Sequence, residues 1–258
     1  MMIKFLIITQ PRSGSSFFTS CLNSHPQIHC PRGSLFTKRN LSPVKGFKPG
    51  FLTVDRKKSP YYKYRSSSFK RQFAHRFRRN KLIHEFLSAW YARYQESEAV
   101  GFKVNYSQIS KYPATISWVK QNDVKIIHLV RKNLLKRHVS NKIAVTRDVH
   151  HSKEALKPIK VFIDPKILLE DFRRRQNRFE RYRKLFRDFP FLEVSYESMV
   201  ADQNTETGKV LKFLGMNQLM ALTTDLVKVN PDSLEEIIEN YDTVKQTLMN
   251  TEFKDFLD

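Results

Sequence analysis

The chain has 258 residues, 40% of them hydrophobic, which is enough apolar material for one sizeable core and a single α/β domain. Forty-six Lys and Arg against 25 Asp and Glu leave a formal charge of +21, more than solubility needs, so an anionic partner is expected. No apolar stretch reaches the length of a membrane span, and the run Ile3 to Ile8 is too short for a signal peptide, so a cytoplasmic protein is expected.

In chain order, residues 3–9 read as a strand and 15–23 as a helix, joined by Gln10-Pro-Arg-Ser-Gly-Ser-Ser16. A strand, a Ser/Gly loop and a helix N-terminus together make an anion site. The N–H groups of Ser13 to Phe17 would converge there, and the helix dipole favours negative charge. Gly14 permits close approach, Ser15 and Ser16 add hydroxyls, and Arg12 adds a fork suited to phosphate or sulfate. The nucleoside-triphosphate pattern G-x-x-x-x-G-K-[ST] is not met, since the first Gly and the Lys are missing. An ordinary surface turn is the plain alternative.

Residues 24–60 read as loop. Phe69, Phe73, Phe77, Leu82, Phe86, Leu87, Trp90 and Tyr94 then recur at helical spacing and predict one helix over 69–95. Basic and aromatic residues alternate through 56–81, from Arg56 to Lys81, a pattern open to an anionic glycan, nucleic acid or an anionic lipid surface. Strands are predicted near 99–105 and 124–130, with a helix from Pro113 through Trp118 between them. Arg131 closes the second of these strands, and the following segment carries Ser140 at helical spacing. The pair is therefore placed to clamp a second phosphate beyond the strand ends. Residues 144–165 read as loop, 165–188 as a basic helix with an aromatic stripe, and 191–196 as a strand. The remainder reads as helices broken at Gly208, Gly215 and Asn230-Pro231. Cys21 and Cys30 form no C-x-x-C pair, and no His/Cys/Asp group has metal-ligand spacing, His150-His151 included.

Two of these segments resemble a known family. Pro11-Arg-Ser-Gly-Ser-Ser16 is similar to the 5′-phosphosulfate loop of sulfotransferases that use 3′-phosphoadenosine 5′-phosphosulfate (PAPS). Leu129-Val-Arg-Lys-Asn-Leu-Leu-Lys-Arg-His-Val-Ser140 resembles their 3′-phosphate motif. Weaker likeness extends over most of the chain and is nearest to the bacterial-type and carbohydrate enzymes. The resemblance implies a three-layer α/β/α fold with a central parallel sheet. It also implies one sulfotransferase domain over 1–258, with an acceptor-side insertion at about 31–98 and a helical C-terminal segment at 197–258.

The same resemblance implies PAPS as donor, PAP as product, no metal, and an acceptor hydroxyl on an anionic carbohydrate or glycolipid. Arg12, Ser13, Gly14, Ser15, Ser16, Phe17, Arg131 and Ser140 would bind the donor, Tyr196 in Val-Ser-Tyr-Glu would lie near the adenine, and Lys228 would approach the 3′-phosphate. Arg12 and Lys103 would be catalytic, with Lys103 facing the sulfuryl group. Two positions depart from the family. Asn105 stands where cytosolic relatives have a His base, and Ser34 in Gly33-Ser-Leu-Phe36 stands where bacterial-type relatives have Glu. His29, His84 and Glu85 are other candidates for a base. A nucleotide kinase of related loop architecture, and a non-catalytic binder of polyanions or nucleic acid, are the alternative functions.

Overall fold

The computed structural model describes residues 2–31, 33–36, 59–147, 159–226 and 233–258. Five parallel strands form one sheet: β1 (Ile3–Thr9), β2 (Ile28–His29), β3 (Ala99–Asn105), β4 (Lys125–Val130) and β5 (Phe191–Ser195), in the order β2-β3-β1-β4-β5. Parallel strands covered on both faces should be apolar almost throughout, and β1 is. Its Leu6 and Ile8 enter one core cluster, while Phe5 and Ile7 enter the other. The first cluster packs under α4 (Arg79–Tyr91), α6 (Ala114–Gln121), α7 (Leu134–Arg147) and α8 (Pro165–Phe186). The second packs under α1 (Ser15–Leu22) and α10 (Gln203–Leu214). The result is the expected three-layer α/β/α arrangement. Because later strands add on both sides of β1, its carboxyl end is the switch point where α/β sheets open a crevice for ligands.

α8 shows why a basic helix can still hold a core. Phe172, Phe179, Tyr182 and Phe186 are buried, while Arg173, Arg174, Arg178 and Arg181 point outward. A chain of polar contacts fixes this helix to the sheet. Arg183 grips Glu193 of β5 through two hydrogen bonds of 2.7 and 2.6 Å. Glu193 meets His128 Nδ1 at 2.9 Å, and His128 Nε2 meets the Tyr106 hydroxyl. Tyr182 donates to the Tyr106 carbonyl at 2.8 Å and stacks on its ring at 4.0 Å. Burial alone would raise the Glu193 carboxyl, but hydrogen bonds from His128 and Arg183 outweigh it and lower it to about 2.

Several local expectations are corrected. The helix predicted over 69–95 is two helices, α3 (Phe69–Phe77) and α4, broken at Arg78 with φ −132 and ψ 42, and followed by a 3-10 turn at Ala92–Tyr94. The aromatic stripe steps by four residues up to Phe77 and then by five to Leu82, which shifts it by more than one helical position. The break lets the ridge Phe69, Phe73 and Phe77 stay exposed while Leu82, Ile83, Phe86, Leu87, Trp90 and Tyr91 of α4 are buried. The short strand β2 lies in the segment read as loop. α7 runs on to Arg147, so it enters the stretch assigned to loop. Gly208 lies inside α10 rather than at a break, whereas Gly215 does end that helix. Pro231 and its neighbours are outside the described residues.

Candidate functional site

The loop between β1 and α1 is built on two left-handed residues, Arg12 (φ 68) and Gly14 (φ 76). The first is a non-glycine in a disfavoured region, a local strain of the kind found at ligand sites. At Gly14 a side chain is blocked twice, by φ and by space, since an added Cβ would lie 2.2 Å from the Tyr196 ring. The ring of Tyr196, the first residue of α9 (Tyr196–Ala201), therefore lies directly on the loop. Arg131 Cζ sits 4.7 Å from that ring's centroid, and Phe17 meets it edge-on at 6.5 Å. Residues from three distant parts of the sequence thus meet at the N-terminus of α1.

Beside them is a group of arginines, Arg12 and Arg131 half-buried and Arg137 buried. Arg12 donates to the Ser140 hydroxyl through Nε (3.2 Å) and Nη2 (2.9 Å). Arg131 Nη1 donates to the Arg12 carbonyl at 3.4 Å, and Arg137 Nε to the Pro11 carbonyl at 3.0 Å. The loop backbone is thereby held by cations from α7 and the end of β4. Arg137 Nη1, Arg131 Nε and the Ser13 hydroxyl are buried with no hydrogen-bond partner among the described residues. Burial, joined by the neighbouring charges of Arg175, Arg131 and Arg12, brings Arg137 down to about 9 against the pull of Asp171. Burial also lowers Arg131, opposed by Tyr196 and Glu197. Crowded cations with unused donors are costly without an anion.

Asp171 of α8 supplies counter-charge. It accepts from Arg174 and Arg175 at 2.6 Å each and meets His138 at 3.4 Å. Burial raises its carboxyl, but these hydrogen bonds win and hold it well below the usual carboxylate range. Arg175 also reaches Gln10 of the loop at 3.3 Å. Arg137, Asp171 and Gln10 were not singled out from sequence, and Arg175 was read only as part of the basic helix. Arg137 lies inside the motif segment, one helical turn from Ser140, and that spacing was the available signal.

Lys103, on β3 beside Ile7 of β1, extends to the hydroxyls of Ser15 and Ser16, 3.3 Å each. Every described residue expected at the donor site thus lies on or against the loop; Lys228 lies outside the described residues. Ser34 and Asn105 are joined through one side chain. Gln108 Oε1 accepts from the Ser34 hydroxyl at 2.8 Å and from the Asn105 backbone N–H at 2.9 Å, within the capping box of α5 (Tyr106–Lys111). Both are neutral hydrogen-bonding groups. His84 is engaged with the Ala114 carbonyl and Ser117, and Glu85 is exposed on α4. His29 pairs with Val100 at the amino-terminal start of β3, three residues before Lys103, and stacks on Tyr94 at 3.7 Å. Burial pushes the Cys30 and Cys21 thiols up to about 12 and 11, so both are inert thiols. Among the described residues, no three His, Cys, Asp or Glu are grouped to hold a metal, and no helix is long and apolar enough to cross a membrane.

A parallel sheet opening at β1, with a strained Ser/Gly loop at a helix N-terminus and arginines around it, defines a protein that handles a phosphorylated or sulfated ligand. The family follows from comparison. Residues 5–219 match the model described as "Sulfotransferase family", and the chain belongs to that family. A solved structure, "Crystal Structure of Sulfotransferase from Alicyclobacillus acidocaldarius", is similar at 17% identity with a TM-score of 0.50, covering 96% of this chain and 95% of that one. At that identity the likeness shows the fold. No curated protein matches the chain. The protein is accordingly a sulfotransferase, and the kinase alternative falls away.

Proposed function

We propose that the enzyme transfers the sulfuryl group of PAPS to a hydroxyl of a carbohydrate or glycolipid. The observation that carries the donor assignment is the cluster of arginines around the loop, two of which, Arg131 and Arg137, keep a buried donor atom without a partner among the described residues. Arg131 Nε, Arg137 Nη1 and the Ser13 hydroxyl are the groups that a doubly phosphorylated ligand would satisfy. The donor supplies one activated sulfuryl group, and the chain's own residues hold and neutralise it. The loop from Ser13 to Phe17, with Arg12, holds the 5′ end. Arg131 and Ser140 hold the 3′-phosphate, with Tyr196 beside the base.

Lys103 and Arg12 stabilise the charge that builds on the leaving phosphate. Such preorganised stabilisation is typically worth 10²–10³ in rate per donor. Because Ser34 and Asn105 are neutral, the reaction rests on positioning and charge rather than on a base at either place. The excess of Lys and Arg over Asp and Glu favours an anionic sugar as acceptor, by charge.

Calorimetric titration with PAP tests the donor site. Wild type should bind in the micromolar range, Arg131→Ala and Arg12→Ala should each lose about 100-fold or more as charge-assisted contacts vanish, and ATP should not substitute. Equal binding of PAP by the variants would overturn the assignment. Transfer of labelled sulfate to a panel of glycans and glycolipids then tests the acceptor class.

A further inference from the structure

Helix α3 is oriented the wrong way round for a soluble surface. Its apolar residues Phe69, Phe73 and Phe77 are 82%, 55% and 62% exposed, and none of its residues is buried. At about 100° per residue they lie within an arc of about 80°, forming one ridge. The polar face is turned inward instead. His75 meets the Tyr61 hydroxyl at 3.0 Å and Arg65 at 2.8 Å, and Arg71 bonds Ser67 at 2.6 Å while covering the Tyr64 ring. Seen down the helix axis, cations flank the ridge on both sides, Lys70 at one edge and Arg76 at the other, both exposed, and Arg76 covers the Phe77 ring at 5.6 Å. From Ser59 to His84 the sequence contains no acidic residue.

A cavity of about 410 Å³ opens next to α3, against α2 (Pro60–Ser66) and α4, and Lys63, Arg71 and Arg93 line it. Trp90 also lines it, and its indole N–H is buried without a partner among the described residues. This face is separate from the donor loop. Trp90 sits beside His29 near the start of β3, whereas the loop lies at the strands' carboxyl ends.

We propose that α3 docks the enzyme on an anionic lipid bilayer, its three rings entering the interface and the surrounding cations meeting lipid phosphates. An apolar ridge flanked by Lys and Arg is the pattern of interfacial helices, and each cation near an anionic leaflet adds about 5-fold in affinity. Charge selects this occupant. A second copy of a chain carrying +21 would be repelled. A nucleic acid would need separated ring faces, whereas Phe73 and Phe77 pack on each other at 4.5 Å. The proposal does not depend on the donor or acceptor assigned above.

The test is flotation of the full chain with phosphatidylcholine vesicles and with mixed phosphatidylcholine–phosphatidylserine vesicles, at low and high salt. Wild type should bind the mixed vesicles only. The variant Phe69→Ser/Phe73→Ser/Phe77→Ser should lose about 10-fold or more in affinity, and what remains should vanish with salt. Its PAP binding should be unchanged, which separates this result from failure of the donor assignment. Equal binding by wild type and variant would overturn the proposal, since net charge alone would then explain it. A marked fall in the variant's melting temperature would overturn it too, because the chain itself would then cover the rings. So would a ring-dependent dimer in light scattering, or ring-dependent binding of RNA with no binding of vesicles.

Discussion

α8 and α3 have similar vocabularies, Arg, Lys and Phe at helical spacing, and opposite orientations. In α8 the rings face inward, Phe179 toward His128 of β4 and Phe172 against Phe253 at 5.3 Å and Phe256 at 5.5 Å of the C-terminal segment, and the arginines face water. In α3 the rings face water, and a histidine and an arginine face the protein. The difference shows that composition and period establish a helix but not which side of it is inward. What decides is the partner each face finds. β4, β5 and the C-terminal residues Phe253 and Phe256 offer α8 an apolar floor, while α2 offers α3 a hydroxyl, a guanidinium and a ring.

That contrast can be broken most forcefully at Phe172. Phe172→Ala should cost about 3–5 kcal/mol, seen as a lower urea midpoint, because it empties a fully buried ring site. A cost below 1 kcal/mol would mean that α8 does not hold the core. Glu193→Gln should cost about 2 kcal/mol at neutral pH, by weakening the contacts that bind α8 to β5. Here the folded carboxyl lies near 2, below its ordinary 4.5, so its stabilisation is present above pH 4.5 and is lost as pH falls toward 2. The variant should therefore show a flatter acid limb than wild type, and parallel curves would refute the linkage.

Charge reversal gives a finer comparison. Arg178→Glu/Arg181→Glu on α8 removes as much positive charge as Lys70→Glu/Arg76→Glu on α3. The α8 pair should change vesicle affinity by less than about 3-fold, and the α3 pair by about 10-fold. Similar losses in both would point to net charge as the cause. The smallest effect belongs to the exposed rings, where Phe69→Ser/Phe73→Ser/Phe77→Ser should alter unfolding free energy by no more than about 0.5 kcal/mol.

The loop, its strand and its helix were legible in the sequence because each is written locally: an apolar run, a Ser/Gly turn, and an N-terminus that needs an anion. β3 and Arg131 at the end of β4 were legible for the same reason. β2 was not, since two residues are too few to show a period. The break at Arg78 was hidden by side chains that continue the period across it, with Ile83, Leu87 and Tyr91 projecting on the same side as Phe69 and Phe73. Gly208 misled because its helical cost of about 1 kcal/mol is outweighed by the Asp202 cap and the burial of Val210, Leu211 and Leu214. Arg175 and Asp171 fall in a segment read only as a basic helix with an aromatic stripe, although Arg175, midway along α8, reaches Gln10 of the loop. Contacts between residues so far apart in the chain leave no mark in local spacing.

The packing of Tyr196 on Gly14 sets an order in which these positions could change over generations. A side chain at position 14 must await loss of the ring at 196, which fills the space it would need. Yet loss of the ring alone would not free position 14, because its backbone angle still excludes most residues. The constraint runs in one direction: position 196 has somewhere to go, and position 14 has almost nowhere.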